Sequence, residues 1–409
     1  MAELVLSRNF SLGHPATLAE YGGYRAWEKA RAMEPKQVLQ TVKAATLQGR
    51  GGAGFPAGMK WEFAANAPGK PKFLVCNADE SEPGTFKDVQ IMERDPHLLI
   101  EGMACAARAI GAETGYIYIR GEFVRAARIL EAAIDEAREI IAPFRLFVHR
   151  GAGAYICGEE TALLESLEGK VGEPRFKPPF PVTHGLWQKP TVVNNVETLS
   201  CVAPIIERGV DWWKSLGTAN SAGPKLFCVS GDVVKPCFLE APMGITLREL
   251  IFEHAGGPKP GRKVQAVFPG GSSAPPLTGD ELDIPMDFKS LDAKKSMLGS
   301  AGVIVVDDSR CMVDVARNII HFYAHESCGK CTPCRDGNEM VHTMLRDMLD
   351  GKATQKTIDY FTYMSKRVFD DCFCALAKGS MWAFGTILNK WRDDFILHLE
   401  GKGCGRERM

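Results

Sequence analysis

Lys72-Phe-Leu-Val-Cys76, running directly into Asn77-Ala-Asp79-Glu80-Ser-Glu82-Pro-Gly-Thr-Phe86, is the stretch that sets the architecture. A short apolar run bounded by polar turn residues reads as a buried strand, and the polar residues after it form a loop at its carboxyl end. Outward from it the chain alternates: a helix over 98–110, a strand Gly115-Tyr-Ile-Tyr-Ile, a long helix over 124–141, and a strand Arg145-Leu-Phe-Val-His. Strands separated by helices of that length imply a parallel sheet of right-handed βαβ units, with ligands bound at the carboxyl ends of the strands.

The polar stretch 218–223 reads as a linker. Beyond it, Leu226-Phe-Cys-Val-Ser-Gly-Asp-Val and Pro236-Cys-Phe-Leu-Glu-Ala-Pro suggest a hairpin, Leu247-Arg-Glu-Leu-Ile-Phe-Glu-His a short helix and Val264-Gln-Ala-Val-Phe a strand, an order that suits a β-grasp-like domain. After Cys311 everything reads as helix except one cysteine loop. The expected architecture is therefore α/β: a Rossmann-like parallel-sheet domain over 1–217, a β-grasp-like domain over 224–306 and a helical bundle over 307–409.

The 409 residues carry a net charge of −1, which gives no reason to expect nucleic acid or an anionic membrane surface as partner. No apolar stretch approaches the roughly 20 residues of a membrane span, and Met1-Ala-Glu-Leu-Val-Leu-Ser-Arg-Asn-Phe lacks the features of a secretory signal. Thirteen cysteines, an odd number, then favour a reducing compartment and metal ligation over disulfides.

The cysteine loop is Glu326-Ser-Cys328-Gly-Lys-Cys331-Thr-Pro-Cys334, a C-x2-C-x2-C run that wraps three thiolates around one face of a cubane cluster. Its fourth ligand lies far along the chain. Cys372, Cys374 and Cys404 are available downstream and Cys311 upstream; a helical hairpin after the run would return the chain near Cys372 and Cys374. A structural zinc site also uses four thiolates, but zinc motifs usually pair two C-x2-C knuckles.

Gly49-Arg50-Gly51-Gly52-Ala53-Gly54 satisfies G-x-G-x-x-G, yet it follows a helical pattern and precedes Phe55-Pro56, so it is not a standard dinucleotide turn. Bare amides still suit close approach to a phosphate or a ring. A second glycine-rich turn, Gly151-Ala-Gly153-Ala-Tyr155-Ile-Cys-Gly158-Glu159-Glu160, leads from strand to helix and offers a helix N-terminus to a phosphate; its glutamates also suit the helix dipole alone.

Together with Lys177-Pro-Pro-Phe180-Pro and Thr191-Val-Val-Asn194-Asn195-Val-Glu-Thr198, these motifs closely resemble the NADH-binding flavoprotein subunit of respiratory complex I, a family shared with NAD-linked hydrogenases and formate dehydrogenases. The resemblance spans nearly the whole chain. It implies an FMN held by Gly49, Arg50, Gly51, Gly52, Ala53, Gly54, Lys60, Asn77, Asp79, Glu80, Tyr155, Gly158, Glu159, Glu160, Asn194, Asn195 and Thr198. It implies NADH stacked on the flavin with its adenine between aromatic rings, matched here by Phe55, Phe63 and Phe180, and with Glu82 and Glu160 near the ribose and nicotinamide. By the same match the last part is a four-helix bundle carrying one [4Fe–4S] cluster on Cys328, Cys331, Cys334 and Cys374, with Cys372 an extra thiol beside them.

The activity this implies is NADH dehydrogenation: hydride transfer to FMN, then single electrons to the cluster, as the input module of an NADH:quinone oxidoreductase. No general acid or base is obligatory, because the cofactors carry the chemistry. The implied partners are other iron–sulfur subunits, notably a small [2Fe–2S] thioredoxin-like one and a larger multi-cluster one, in a cytoplasmic complex peripheral to the membrane. The alternatives are the same module in a soluble hydrogenase, formate dehydrogenase or bifurcating complex, and a flavin-free electron-transfer scaffold.

Overall fold

The computed structural model describes residues 4–399, 401 and 403–408. Its first sheet holds β1 (Phe73–Ala78), β2 (Thr114–Ile119), β3 (Arg145–Arg150) and β4 (Thr191–Asn195), in the order β3-β2-β1-β4 with every pair parallel. The chain moves outward from β1 through β2 to β3, then returns to lay β4 on the other side of β1. That reversal opens a crevice at the carboxyl ends of β1 and β4, where open α/β sheets bind ligands.

Period-two alternation explains why β1 looks uniformly apolar. Leu74 and Cys76 face one core with Ile117 and Ile119, while Phe73 and Val75 face a second core with Tyr118 and Val193. The first core is closed by the buried helix Pro96–Ile110, whose Pro96 sits at the first helical position, where no amide partner is lost. The helix expected over 124–141 ends at Ala137; residues after it turn instead and bury Ile141.

The stretch 218–223 is not a free linker. It forms a two-stranded hairpin of β5 (Gly217–Thr218) and β6 (Ser221–Ala222), with Ser221 and Ala222 buried. A five-stranded mixed sheet comes next, ordered β10-β9-β11-β7-β8, from β7 (Pro224–Gly231), β8 (Cys237–Pro242), β9 (Val264–Phe268), β10 (Leu277–Thr278) and β11 (Gly302–Asp307). The expected hairpin is β7–β8, the expected strand is β9, and the short helix is a π-helical turn over Glu249–His254.

The last part is helical: Met312–Glu326, Thr332–Leu349, Gln355–Asp370, Ala375–Lys390 and Arg392–Leu399. Its apolar faces join the second core together with Phe73, Val75 and Val193, so the bundle packs on the far face of the first sheet. The N-terminal segment straps onto the middle sheet, where the Glu240 carboxylate accepts the amides of Val5, Leu6 and Ser7 and Phe10 stacks on Phe238.

Candidate nucleotide site and thiol cluster

The glycine loop lies between helices Pro35–Ala44 and Ala57–Asn66, as its sequence context suggests, and is pinched shut at its base. The Gly49 amide donates to the Phe55 carbonyl at 3.0 Å and the Ala57 amide to the Leu47 carbonyl at 2.8 Å. The two central glycines do different work. A Cβ on Gly51 would sit 2.8 Å from Asn195 Cβ, so Gly51 lets the loop press on the end of β4. Gly52 has φ +151°, and no heavy atom lies within 4 Å of where its Cβ would stand, so its face is open to a ligand.

Arg50 is fully buried and points away from that opening. Its amide donates to Thr198 Oγ1 at 2.8 Å and its guanidinium to the Ala222 carbonyl at 2.7 Å. Below it lies a cluster of buried charge: Glu197 accepts from Lys225 at 2.7 Å and meets Lys87 at 2.9 Å, and Lys87 also meets Asp88 at 2.7 Å. Burial raises the Glu197 carboxyl, but Lys225, Lys87 and Arg50 outweigh it and hold the group down at about 2. No local sequence pattern announced this cluster; a single lysine opening the apolar strand β7 was its one trace.

The amide and carboxylate residues converge on the crevice. Asn77 and Asn195 are paired in register across β1 and β4, as are Cys76 and Asn194. Asn194 Oδ1 accepts from the buried Trp61 Nε1 at 2.7 Å, and Asn77 Nδ2 donates to the Gly158 carbonyl at 2.8 Å. Asn195 caps helix Val196–Ser200 through the Glu197 amide at 3.0 Å and donates to Asp88 at 2.6 Å. Asp79 receives Ser81 on one oxygen, while its buried Oδ2 has no donor among the described residues; burial pushes its pKa up to about 7. An orphaned acceptor at the carboxyl end of β1 suits a ligand carrying polar donors, as FMN does.

The glutamates divide by partner. Glu80 turns inward, accepting the amides of Asp88 at 2.7 Å and Val89 at 3.0 Å, and burial followed by the Asp88 charge pushes it up to about 7. Glu159 caps helix Glu160–Leu167, accepting from Thr161 and Ala162 at 2.8 and 2.9 Å, so its own carboxylate occupies the donors expected for a phosphate. Glu160 pairs with Lys60 at 2.6 Å and Lys177 at 3.2 Å; burial alone would raise its pKa, and the two lysines override that and keep it ionised. Glu82 is held by neutral donors instead: Tyr155 Oη donates to it at 2.7 Å and the Ser273 amide at 2.8 Å, and burial raises its pKa.

Phe55, Phe63 and Phe180 are about half exposed, at 50, 50 and 53%. The helix that carries Phe63 packs against helix Pro181–His184, which Phe180 precedes. The middle domain reaches the site too, in ways the sequence left silent. Ser272 and Ser273 hold Glu82, and Phe288 lies 2.6 Å from where a Cβ on Gly54 would stand.

Behind the turn Tyr155–Gly158 lies a small void lined by Cys328, Cys331, Cys334 and Cys374 with Ser327, Ile156, Pro174, Phe373 and Leu376. Four thiols on one void match the donor set of a cubane cluster. Cys374 stands immediately before helix Ala375–Lys390, and the residues preceding it are not helical. Cys372 does not line the void; its thiol is buried and hydrogen-bonds with Cys334.

Comparison with known proteins agrees along the whole chain. Residues 42–204 match the Nuo51 FMN-binding domain, 225–306 an SLBB domain and 314–398 the NADH-ubiquinone oxidoreductase-F iron-sulfur binding region. The chain is 54% identical to the second NADH-quinone oxidoreductase F-subunit of Rhizobium meliloti, covering 99% of both chains. It is 50% identical to the corresponding F-subunit of Aquifex aeolicus, over 91% of this chain and 88% of that one. Among solved structures it superposes on a chain of the NAD+-reducing [NiFe]-hydrogenase in its H2-reduced state with a TM-score of 0.85 and 38% identity, covering all of this chain and 68% of that one.

Proposed function

The chain belongs to the NADH-quinone oxidoreductase F-subunit family, and on that footing we propose how its residues divide the work of NADH oxidation. It is an oxidoreductase subunit of a multi-subunit complex, with an FMN-binding and an iron–sulfur region, and acts as the NADH input module. When bound, FMN supplies a hydride acceptor and the [4Fe–4S] cluster a one-electron carrier.

The observation that carries the residue assignment is the turn Tyr155–Gly158, which touches both sites. Its Gly158 carbonyl accepts from Asn77 at the nucleotide crevice, and its Ile156 lines the void of four thiols. Gly49 to Gly54 offer backbone, with Gly52 the open face and Arg50 anchoring the loop from below. Asp79 Oδ2 is the acceptor for a flavin donor; Lys60, Asn77, Asn194 and Thr198 contribute around the carboxyl ends of β1 and β4. Glu80, Glu159 and Asn195 shape the site through the helix amides they cap. Phe55, Phe63 and Phe180 present stacking faces to the adenine, while Glu82 and Glu160 place negative charge where a 2′-phosphate would be repelled. Cys328, Cys331, Cys334 and Cys374 are the cluster ligands.

We further assign the domain boundaries 1–217, 224–306 and 307–409, each with its own secondary-structure pattern. No described helix is long and apolar enough to cross a membrane, and the subunit is assigned a peripheral, cytoplasmic place, next to a small [2Fe–2S] subunit and a larger multi-cluster one. The likeness to the NAD+-reducing hydrogenase favours one second reading, the same module in a soluble complex, and the identity of copurifying subunits decides between them.

Replacing Cys374 by Ser tests the assignment. The variant should lose or alter the cluster's EPR signal yet still reduce ferricyanide with NADH, because that acceptor takes electrons at the flavin. An unaltered signal in Cys374→Ser would remove it from the ligand set.

A further inference from the structure

We propose that Cys311, His398 and Cys404 form a second metal centre, a structural Zn2+ site that fastens the C-terminal tail to the head of the helical bundle. Their donor atoms all lie within 4.8 Å of one another, and Cys311 Sγ is 3.2 Å from His398 Nε2. With Zn–S of about 2.3 Å and Zn–N of about 2.0–2.1 Å at tetrahedral angles, donors stand about 3.5–3.8 Å apart, so closure on a metal needs only small shifts. Two thiols and an imidazole are soft donors, which select zinc over magnesium or calcium.

This trio is separate from the iron–sulfur ligands. Cys311 stands at the N-terminus of helix Met312–Glu326, whereas Cys328 lies just past its C-terminus. Fifteen residues at 1.5 Å each put about 22 Å of helix between them. None of the three lines the four-thiol void, and the matched iron–sulfur region, 314–398, includes neither Cys311 nor Cys404.

The tail is already aimed at the site. The Cys311 amide donates to the Glu407 carbonyl at 3.0 Å, the Glu407 amide to the Ser309 carbonyl at 2.8 Å, and Arg406 pairs with Asp394 at 2.7 Å. Gly403 and Gly405, at φ +62° and +66°, flank Cys404 and bend the chain so that its thiol turns in. Residues 403–408, Gly-Cys-Gly-Arg-Glu-Arg, carry no large apolar side chain to offset the entropy of ordering them. A metal crosslink supplies what a core cannot. Cys311 and His398 are buried and Cys404 is partly exposed, so the fourth position of the tetrahedron would lie on the accessible Cys404 side, within reach of a water.

Binding is balanced as two thiols losing two protons to solvent while Zn2+ gains two thiolates, with the imidazole entering neutral.

The test measures zinc and iron by mass spectrometry on the full-length protein carrying FMN and cluster, after equimolar Zn2+ and removal of the excess. The expected result is about one zinc per chain, lost in Cys404→Ser with iron, FMN and ferricyanide reductase activity retained. Amides over 403–408 should then exchange hydrogen faster. Cys374→Ser, by contrast, should lose iron and keep the zinc. A wild type without zinc, or zinc that survives both Cys404→Ser and His398→Ala, overturns the proposal. So does a Cys311–Cys404 disulfide in the unreduced intact mass, since that crosslink leaves His398 without a role.

Discussion

Replacing Glu197 by Gln removes the one carboxylate that touches both Lys225 and Lys87, three side chains with no exposed surface. The triad joins the helix after β4 to the first strand of the middle sheet, so its loss should loosen the seam below the flavin crevice. Glu197 titrates near 2 in the folded chain against about 4.3 unfolded, a difference worth about 3 kcal/mol. Removing one partner of a buried ion pair independently costs about 3–5 kcal/mol. A depressed carboxyl pKa stabilises above the unfolded value and loses that contribution as pH falls from about 4.3 towards about 2. In Lys225 it is the charged form that folding disfavours: burial, with Lys87 and Arg50 beside it, lowers its pKa to about 8 despite Glu197. With Glu197 neutralised it falls further, so the variant should recover stability as pH rises from 7 to 9, where the unfolded chain holds a proton that the folded one does not. Guanidinium unfolding followed by fluorescence of the buried Trp61 and Trp213, across pH 3–9, reads both the loss and its pH dependence. A loss below about 1 kcal/mol at pH 7, or a Glu197→Gln/Lys225→Met double variant no more stable than the single one, would rule the triad out as a major tie across the seam.

Gly52→Val should abolish FMN binding while the chain stays folded, because its side chain would enter the open face at a φ that disfavours any Cβ; stoichiometric flavin released by acid from the variant would contradict this. Glu82→Gln should narrow the preference for NADH over NADPH by a factor on the order of 3–10, about one charge pair at 4 Å with water's dielectric screening, in kcat/KM with ferricyanide; an unchanged ratio removes Glu82 from that role. Cys372→Ser should keep the cluster's EPR signal, since Cys372 does not line the void, and loss of the signal there with retention in Cys374→Ser would exchange their roles.

The order of strands and helices was legible because burial on both faces makes β1 continuously apolar and because helical crossovers leave a periodic mark. The C-x2-C-x2-C run was legible because three ligands fall within one loop. The fourth was narrowed to Cys372 or Cys374 because a helical hairpin after the run returns the chain near both, and what separates the two thiols is which of them faces the void. Glu159 and Glu80 show a different limit: a glutamate beside a glycine turn reads equally as ligand or cap, and only the direction of the helix amides decides.

The α/β class, the family resemblance with its cofactors and the cysteine run could all be read before folding, because each is carried by residues near one another along the chain. Folding alone makes 218–223 a buried hairpin, turns Arg50 into a charge cluster built from Lys87, Glu197 and Lys225, closes the crevice with Ser272, Ser273 and Phe288, and brings Cys311, His398 and Cys404 together. Apart from the local hairpin, these groups meet across gaps of tens to more than a hundred residues, and no periodicity records a contact whose partners share neither a strand nor a helix.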